Sequence, residues 1–108
     1  MKNIKEIKYY VGPNGKEPYT EWFNGIRDAK TKAIIAVKID RMKLGNFGDC
    51  ESIGEGLSEL KIYYGPGYRV YFGQIENTII IILCGGDKST QKKDIKLAHE
   101  YWNSLARG

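Results

Sequence analysis

A single histidine, His99, rules out the two-imidazole acid–base pair that many ribonucleases use, and no Ser-centred elbow supports a nucleophile triad. Cysteine is nearly as scarce. Cys50 and Cys84 stand far apart with no further Cys or His at ligand spacing, so the chain offers no metal centre. Without an export signal, the two read as reduced thiols of the cytosol. Neither a Gly-rich phosphate loop nor a dinucleotide fingerprint occurs, which excludes nucleotide cofactors, and no cofactor is expected. The longest apolar run, Ile79 to Cys84, falls far short of a membrane span. Met1 to Lys8 alternates charged and apolar residues and contains no signal-peptide core. These absences predict a cytoplasmic protein with no membrane partner.

What is present fits one domain over residues 1–108, large enough for a core and too small for two. At 42% apolar and 28% charged residues, the composition excludes wholesale disorder. Seventeen Lys and Arg against thirteen Asp and Glu give a net charge of +4, which favours an acidic partner.

The pattern of apolar residues predicts the order β-α-α-β-β-β-α. Ile4 to Val11 reads as a strand, ended by Gly12-Pro13-Asn14-Gly15. Pro18 opens a short helix carrying Tyr19, Trp22, Phe23 and Ile26. Asp28 caps a second helix from Ala29 to Leu44, with Ala33, Ile34, Val37 and Met42 as its apolar stripe and Ile35 and Ile39 beside them. Asn46 to Gly56 reads as a loop. Leu57 to Phe72 forms two strands around Gly65-Pro66-Gly67, and Thr78 to Cys84 a central strand apolar on both faces. Gly85-Gly86-Asp87 reads as a flexible break before a last helix from Ser89 or Thr90 to Ala106. That helix buries Ile95, Ala98, Trp102 and Leu105, with His99 partly exposed on its flank. The class is α+β, two helices on a mainly antiparallel four-stranded sheet, plus a C-terminal helix.

The hairpin carries the chemistry. Leu60, Ile62, Tyr64, Tyr68, Val70 and Phe72 alternate onto the core face, which leaves Lys61, Tyr63, Arg69 and Tyr71 on the other. Cations among aromatic rings suit a phosphate backbone with stacking bases. Lys88, Lys92 and Lys93 gather at the start of the last helix, where positive charge opposes the macrodipole and a bound anion would relieve it. If that anion is RNA, the 2′-hydroxyl is the nucleophile and no metal is required. Arg69 would clamp phosphate oxygens, and Lys61, its pKa lowered by neighbouring cations, would serve as base or stabiliser. Tyr71, Lys88 or Asp94 would handle the other proton. The competing interpretation is a solvated lysine face with Lys61 paired to a carboxylate such as Glu59.

Several segments resemble the phage-related, HigB-like (addiction module killer) branch of the RelE/ParE superfamily of toxins. They are Pro18-Tyr19-Thr20-Glu21-Trp22, Leu44-Gly45-Asn46-Phe47-Gly48-Asp49, Gly54 to Ile62, Tyr64 to Phe72, and Leu83 to Ile95. The resemblance implies a RelE-like fold and the toxin of a type II toxin–antitoxin pair. Many such toxins are ribosome-dependent mRNA interferases that cut translated mRNA and leave a 2′,3′-cyclic phosphate without a metal. It implies a small helix-turn-helix antitoxin, the ribosome and mRNA as partners. Arg69 corresponds to the arginine of the family's YRV-type strand, Lys61 falls near its strand lysine, and Lys88 matches the basic residue after the last core strand. The family's C-terminal tyrosine is missing between Ser89 and Ile95, which leaves Asp94 or Gln91 to replace it, with Tyr63, Tyr71, Gln91, Lys92 and Lys93 on the RNA. Two other functions stay open: a ParE-like gyrase inhibitor without nuclease activity, and a phage-related protein that binds RNA without cutting it.

Overall fold

The alternation over 57–72 folds as read, into β3 (Leu57–Ile62) and β4 (Tyr68–Ile75), antiparallel with Leu60 opposite Val70 and Lys61 opposite Arg69. The computed structural model describes residues 4–106. The ends of the 1–108 domain and the start of the Met1–Lys8 segment lie outside the described residues. The remaining elements are β1 (Glu6–Tyr9), α1 (Pro18–Asn24), α2 (Ala29–Lys43), β2 (Cys50–Gly54), β5 (Ile79–Asp87) and α3 (Gln91–Ala106). A single 3-10 turn, Lys88–Thr90, joins β5 to α3. The sheet runs β1-β5-β4-β3-β2, with β1 parallel to β5 and every other pair antiparallel. None of the described helices is long and apolar enough to cross a membrane.

The sheet therefore has five strands and not four. The extra one is β2, which lies in the segment expected as a loop. It is an edge strand whose Glu51, Ser52 and Gly54 are exposed, so it buries too little to give an alternating apolar signal. Its hairpin to β3 turns through positive φ at Gly54, Glu55 and Gly56.

A second correction concerns Gly85-Gly86-Asp87, which continues β5 instead of breaking it. These glycines permit close approach. A Cβ on Gly85 would enter the Trp22 ring of α1, and one on Gly86 would meet the Asp94 carboxylate and Thr90 Oγ1.

Both sheet faces are covered. Leu60, Ile62, Val70, Phe72, Ile80 and Ile82 pack with Ile35, Ile39, Met42 and Tyr19 on the α1–α2 side. Leu57, Tyr71, Ile81, Leu83 and Cys84 pack against Ile95, Ala98 and Trp102 of α3. A bulge leaves Leu83 between the Tyr71–Cys84 and Phe72–Ile82 pairs, and so turns both Leu83 and Cys84 toward α3. The two cysteines belong to clusters on opposite faces and are free thiols.

Asp28 caps α2 as expected, accepting from Thr31 N at 3.2 Å and Thr31 Oγ1 at 2.6 Å. That bond lets a polar residue start the buried line Thr31, Ile35, Ile39, Met42. The inner face is consequently rotated from the expected stripe, and Ala33 and Val37 are exposed.

Candidate phosphate-binding cleft

The turn between β3 and β4 is tight because Gly65 and Gly67 adopt φ of 58° and 84°, values that favour glycine. It sets Tyr64 and Tyr68 at the hairpin end, Tyr68 on the rung next to the Lys61–Arg69 pair and Tyr64 just past the end of β3. Lys88 joins them through its backbone, whose N–H donates to Gly67 O at 3.0 Å. The result is a cleft of about 400 Å³ walled by Lys61, Tyr63, Tyr64, Tyr68, Arg69 and Lys88. Three residues separated in sequence by the turn and by β5 thus meet at one rim.

Two of the cations arrive already paired. Lys61 Nζ lies 2.5 Å from Glu51 Oε2, and Arg69 Nε lies 3.0 Å from Glu59 Oε1. Register places Glu51 directly opposite Glu59, and Lys61 directly opposite Arg69. Two carboxylates that would repel are neutralised by the cations on the adjoining rung. The Glu51 hydrogen bond holds the Lys61 pKa above its ordinary value, with partial desolvation opposing it. The expected lowering by neighbouring cations is thereby overturned, and Lys61 stays an ammonium at neutral pH.

Glu59 is 2% exposed. Its Oε1 also accepts from Gln91 Nε2 at 2.8 Å and, at the 3.5 Å limit, from the Tyr71 hydroxyl. The Arg69 contact is close but misaligned: the buried Nε makes no hydrogen bond despite the short separation. It acts as a charge–charge contact whose directional part is missing.

Several expected site residues do other work. Tyr71 is wholly buried under α3, because α3 closes the face expected to be open; no base can stack on it. Gln91 is spent on Glu59. Asp94 is buried against Gly86, with Thr90 Oγ1 donating to its Oδ2 at 2.5 Å. The anion anticipated at the last helix start is supplied by the chain itself. Asp87 caps the 3-10 turn, accepting from Ser89 N at 2.8 Å. The Ser89 hydroxyl also donates to Asp87 Oδ1, at 2.6 Å, and this side-chain hydrogen bond leads the causes that lower the Asp87 pKa. Lys92 and Lys93 are exposed and do not line the cleft. Tyr63 is 75% exposed at the rim, with its pKa raised first by a hydrogen bond to Asp49. His99 sits elsewhere, its ring nitrogens 2.9 Å from Ile53 O and 3.3 Å from Glu55 Oε2, fastening α3 to the β2–β3 turn.

Sequence reasoning missed Glu51, and it treated Glu59 only as a surface partner for Lys61. The signal was the strand register, readable only once Cys50–Gly54 is taken as a strand.

Desolvation, ahead of the opposing Thr90 hydrogen bond, raises the Asp94 pKa. A carboxyl whose folded pKa exceeds its unfolded value stabilises least above the folded pKa and recovers as pH falls through it. Asp94→Asn keeps an acceptor for Thr90 and cannot ionise. Its stability relative to wild type is expected to improve as pH rises from about 4 to about 7. Urea melts across that range check this; a parallel pair of pH curves would contradict it.

No protein-family model matches the chain. An uncharacterized protein of Haemophilus influenzae (strain ATCC 51907 / DSM 11121 / KW20 / Rd) is 46% identical over 80 residues, which is 74% of this chain and 81% of the relative. At that identity and coverage, the chain belongs to the same family as this Haemophilus protein.

Proposed function

We propose that the protein is the toxin of a type II toxin–antitoxin pair, a metal-independent endoribonuclease that cuts mRNA on the translating ribosome in the cytoplasm. A small helix-turn-helix antitoxin would restrain it. The observation that carries this reading is the convergence of Lys61, Arg69 and Lys88 on one cleft rimmed by Tyr63, Tyr64 and Tyr68. The resemblance of several segments to RelE/ParE toxins supports it, and a gyrase-binding surface has no need of such a cradle.

The chemistry follows from the protonation states. RNA supplies its 2′-hydroxyl as nucleophile. Lys61 is held as a cation, so the base is the carboxylate on its Nζ, Glu51, whose side chain is 62% exposed. The 2′-hydroxyl proton passes to Glu51, O2′ bonds to phosphorus, and the P–O5′ bond breaks to leave a 2′,3′-cyclic phosphate. The departing 5′-oxygen takes a proton from the Lys88 ammonium. Arg69 and Lys61 bear the negative charge that builds on the phosphoryl oxygens.

A pulse of expression in a bacterial host with 5′-end mapping of a reporter mRNA tests the reading. Wild type is expected to give in-frame cuts that disappear when translation is blocked. Glu51→Gln is expected to slow cutting by roughly 10²–10⁴-fold, the range of a lost general base. Growth arrest with intact mRNA would overturn the nuclease and favour the gyrase inhibitor. RNA binding without cuts or arrest would favour the non-catalytic binder.

A further inference from the structure

The two flanks of α2 differ in charge. On the flank toward β1, Asp40 lies beside Tyr9, Tyr19 and Ala36, and Lys43 Nζ is 3.8 Å from the Asp40 carboxylate. The opposite flank carries Lys30, Ile34, Lys38 and Arg41, which follow one another at helical spacing next to the buried line Thr31, Ile35, Ile39, Met42. Among the described residues, none of Lys30, Lys38 and Arg41 forms a salt bridge. Asp28, the carboxylate nearest Lys30 in sequence, is engaged by Thr31, and Asp40, next to Arg41 in sequence, pairs with Lys43.

This flank begins at the cleft. Lys30 Nζ stands 5.8 Å from the centroid of the Tyr64 ring, and Tyr64 is a wall of the cleft. At its far end, Lys38 and Arg41 border a small hollow with Phe47, Gly48 and Leu60. From Lys30 to Arg41 the helix rises about 16 Å, long enough to accompany several nucleotides of an extended strand. Cations without salt bridges, with an aromatic ring at each end of the row and a cleft of like chemistry beside Lys30, match single-stranded RNA better than an acidic protein segment, which has no bases to stack.

We propose that the Lys30–Lys38–Arg41 flank of α2 is a second RNA-backbone surface, which carries the strand out of the cleft across Tyr64. The proposal rests on the RNA reading of the cleft. It adds that the substrate is a strand much longer than the cleft holds and that length itself raises affinity.

The test uses 2′-O-methyl RNA, which cannot be cut, so binding is read whether or not the protein is a nuclease. Fluorescence anisotropy compares a tetranucleotide with a dodecamer across a salt series. Wild type is expected to bind the dodecamer at least tenfold more tightly. In Lys30→Gln/Lys38→Gln/Arg41→Gln that gain disappears, the tetranucleotide affinity holds, and the log–log salt slope for the dodecamer falls by about 2, near 0.7 per lost contact. The same net charge is reached by Lys8→Gln/Lys16→Gln/Lys43→Gln, which is expected to keep the gain. Circular dichroism melts establish that both triples are folded; if the first is not, Lys30→Gln and Arg41→Gln, both at exposed positions, are tested singly and each is expected to lose part of the gain.

Equal losses in the two triples would overturn the proposal in favour of net charge alone. A dodecamer that binds no better than the tetranucleotide would overturn it while sparing the cleft. A dodecamer that depends on the flank, with no tetranucleotide binding, would uphold the flank and sink the cleft reading. Stronger competition by poly-glutamate than by RNA of equal charge would overturn it in favour of an acidic protein partner.

Discussion

Arg69→Ala is expected to cost about 3 kcal/mol of folding stability, the lower end of the range for breaking a buried ion pair, in addition to abolishing RNA cutting. The cost arises in Glu59 more than in the arginine. Glu59 is 2% exposed, and without Arg69 its hydrogen-bond partners are the neutral Gln91 amide and a Tyr71 hydroxyl at 3.5 Å, with Lys61 already bonded to Glu51. A carboxylate so placed has lost the positive charge that offset its desolvation. The lower end is chosen because the Arg69 Nε is already buried without an aligned hydrogen bond, so the native pair is imperfect. Glu59→Gln in the Arg69→Ala background removes the stranded charge and is expected to restore most of the stability but none of the cutting. Urea denaturation of the four proteins of the cycle, beside a cutting assay, separates the two effects. An Arg69→Ala protein as stable as wild type would show that Glu59 does not depend on Arg69. The consequence for function is practical: inactivity of Arg69→Ala alone is ambiguous, and the double variant is the informative one.

Legibility in the sequence tracked the strength of the burial pattern. The β3–β4 hairpin alternates strictly and turns on Gly65-Pro66-Gly67, so its two strands and the shared face of Lys61 and Arg69 could be read in advance, while their direct pairing came with the register. The Asp28 cap of α2 was equally plain. Edge strand β2 was not, because an edge exposed to water needs no apolar alternation, and with β2 went the Glu51–Glu59 cross-strand pair. The role of Tyr71 was misjudged for a different reason. Alternation says which residues share a face but not whether a distant helix covers it, and α3 does so from the far end of the chain. Gly85 and Gly86 were misread because glycine marks flexibility and close approach with the same letter. Only the positions of Trp22 and Asp94 decide between them.

The cleft is accordingly an electrically balanced surface more than a bare cationic one. A phosphate entering it competes with Glu51 for Lys61, and Arg69 cannot turn fully to the ligand without uncovering Glu59. Such pairing fixes the cations in place in advance, which would reduce the ordering cost of binding an anion there.

Gly86→Ala is expected to be the most damaging small substitution in the described fold, at about 3 kcal/mol, the upper end for overpacking a filled interior. Its Cβ would fall on Asp94 Oδ2, with Thr90 Oγ1 at 2.7 Å and Asp94 Cγ at 2.9 Å. None of these atoms ends a long, yielding side chain. Asp94 is a short residue on α3, tied to Thr90, which itself belongs to the turn that Asp87 caps. Relief would require α3 to lift from the sheet, or β5 to shift. Because Gly86 is the register partner of Arg69, a shifted β5 would also displace the cleft. Gly86→Ala/Asp94→Ala removes the obstructing carboxylate and is expected to recover at least half of the lost stability. Gly85→Ala collides instead with the Trp22 ring on the opposite face, so Asp94→Ala should give it no rescue. Thermal melts of the five proteins decide it: equal rescue of both glycine variants, or of neither, would mean that contact with Asp94 is not what keeps residue 86 a glycine.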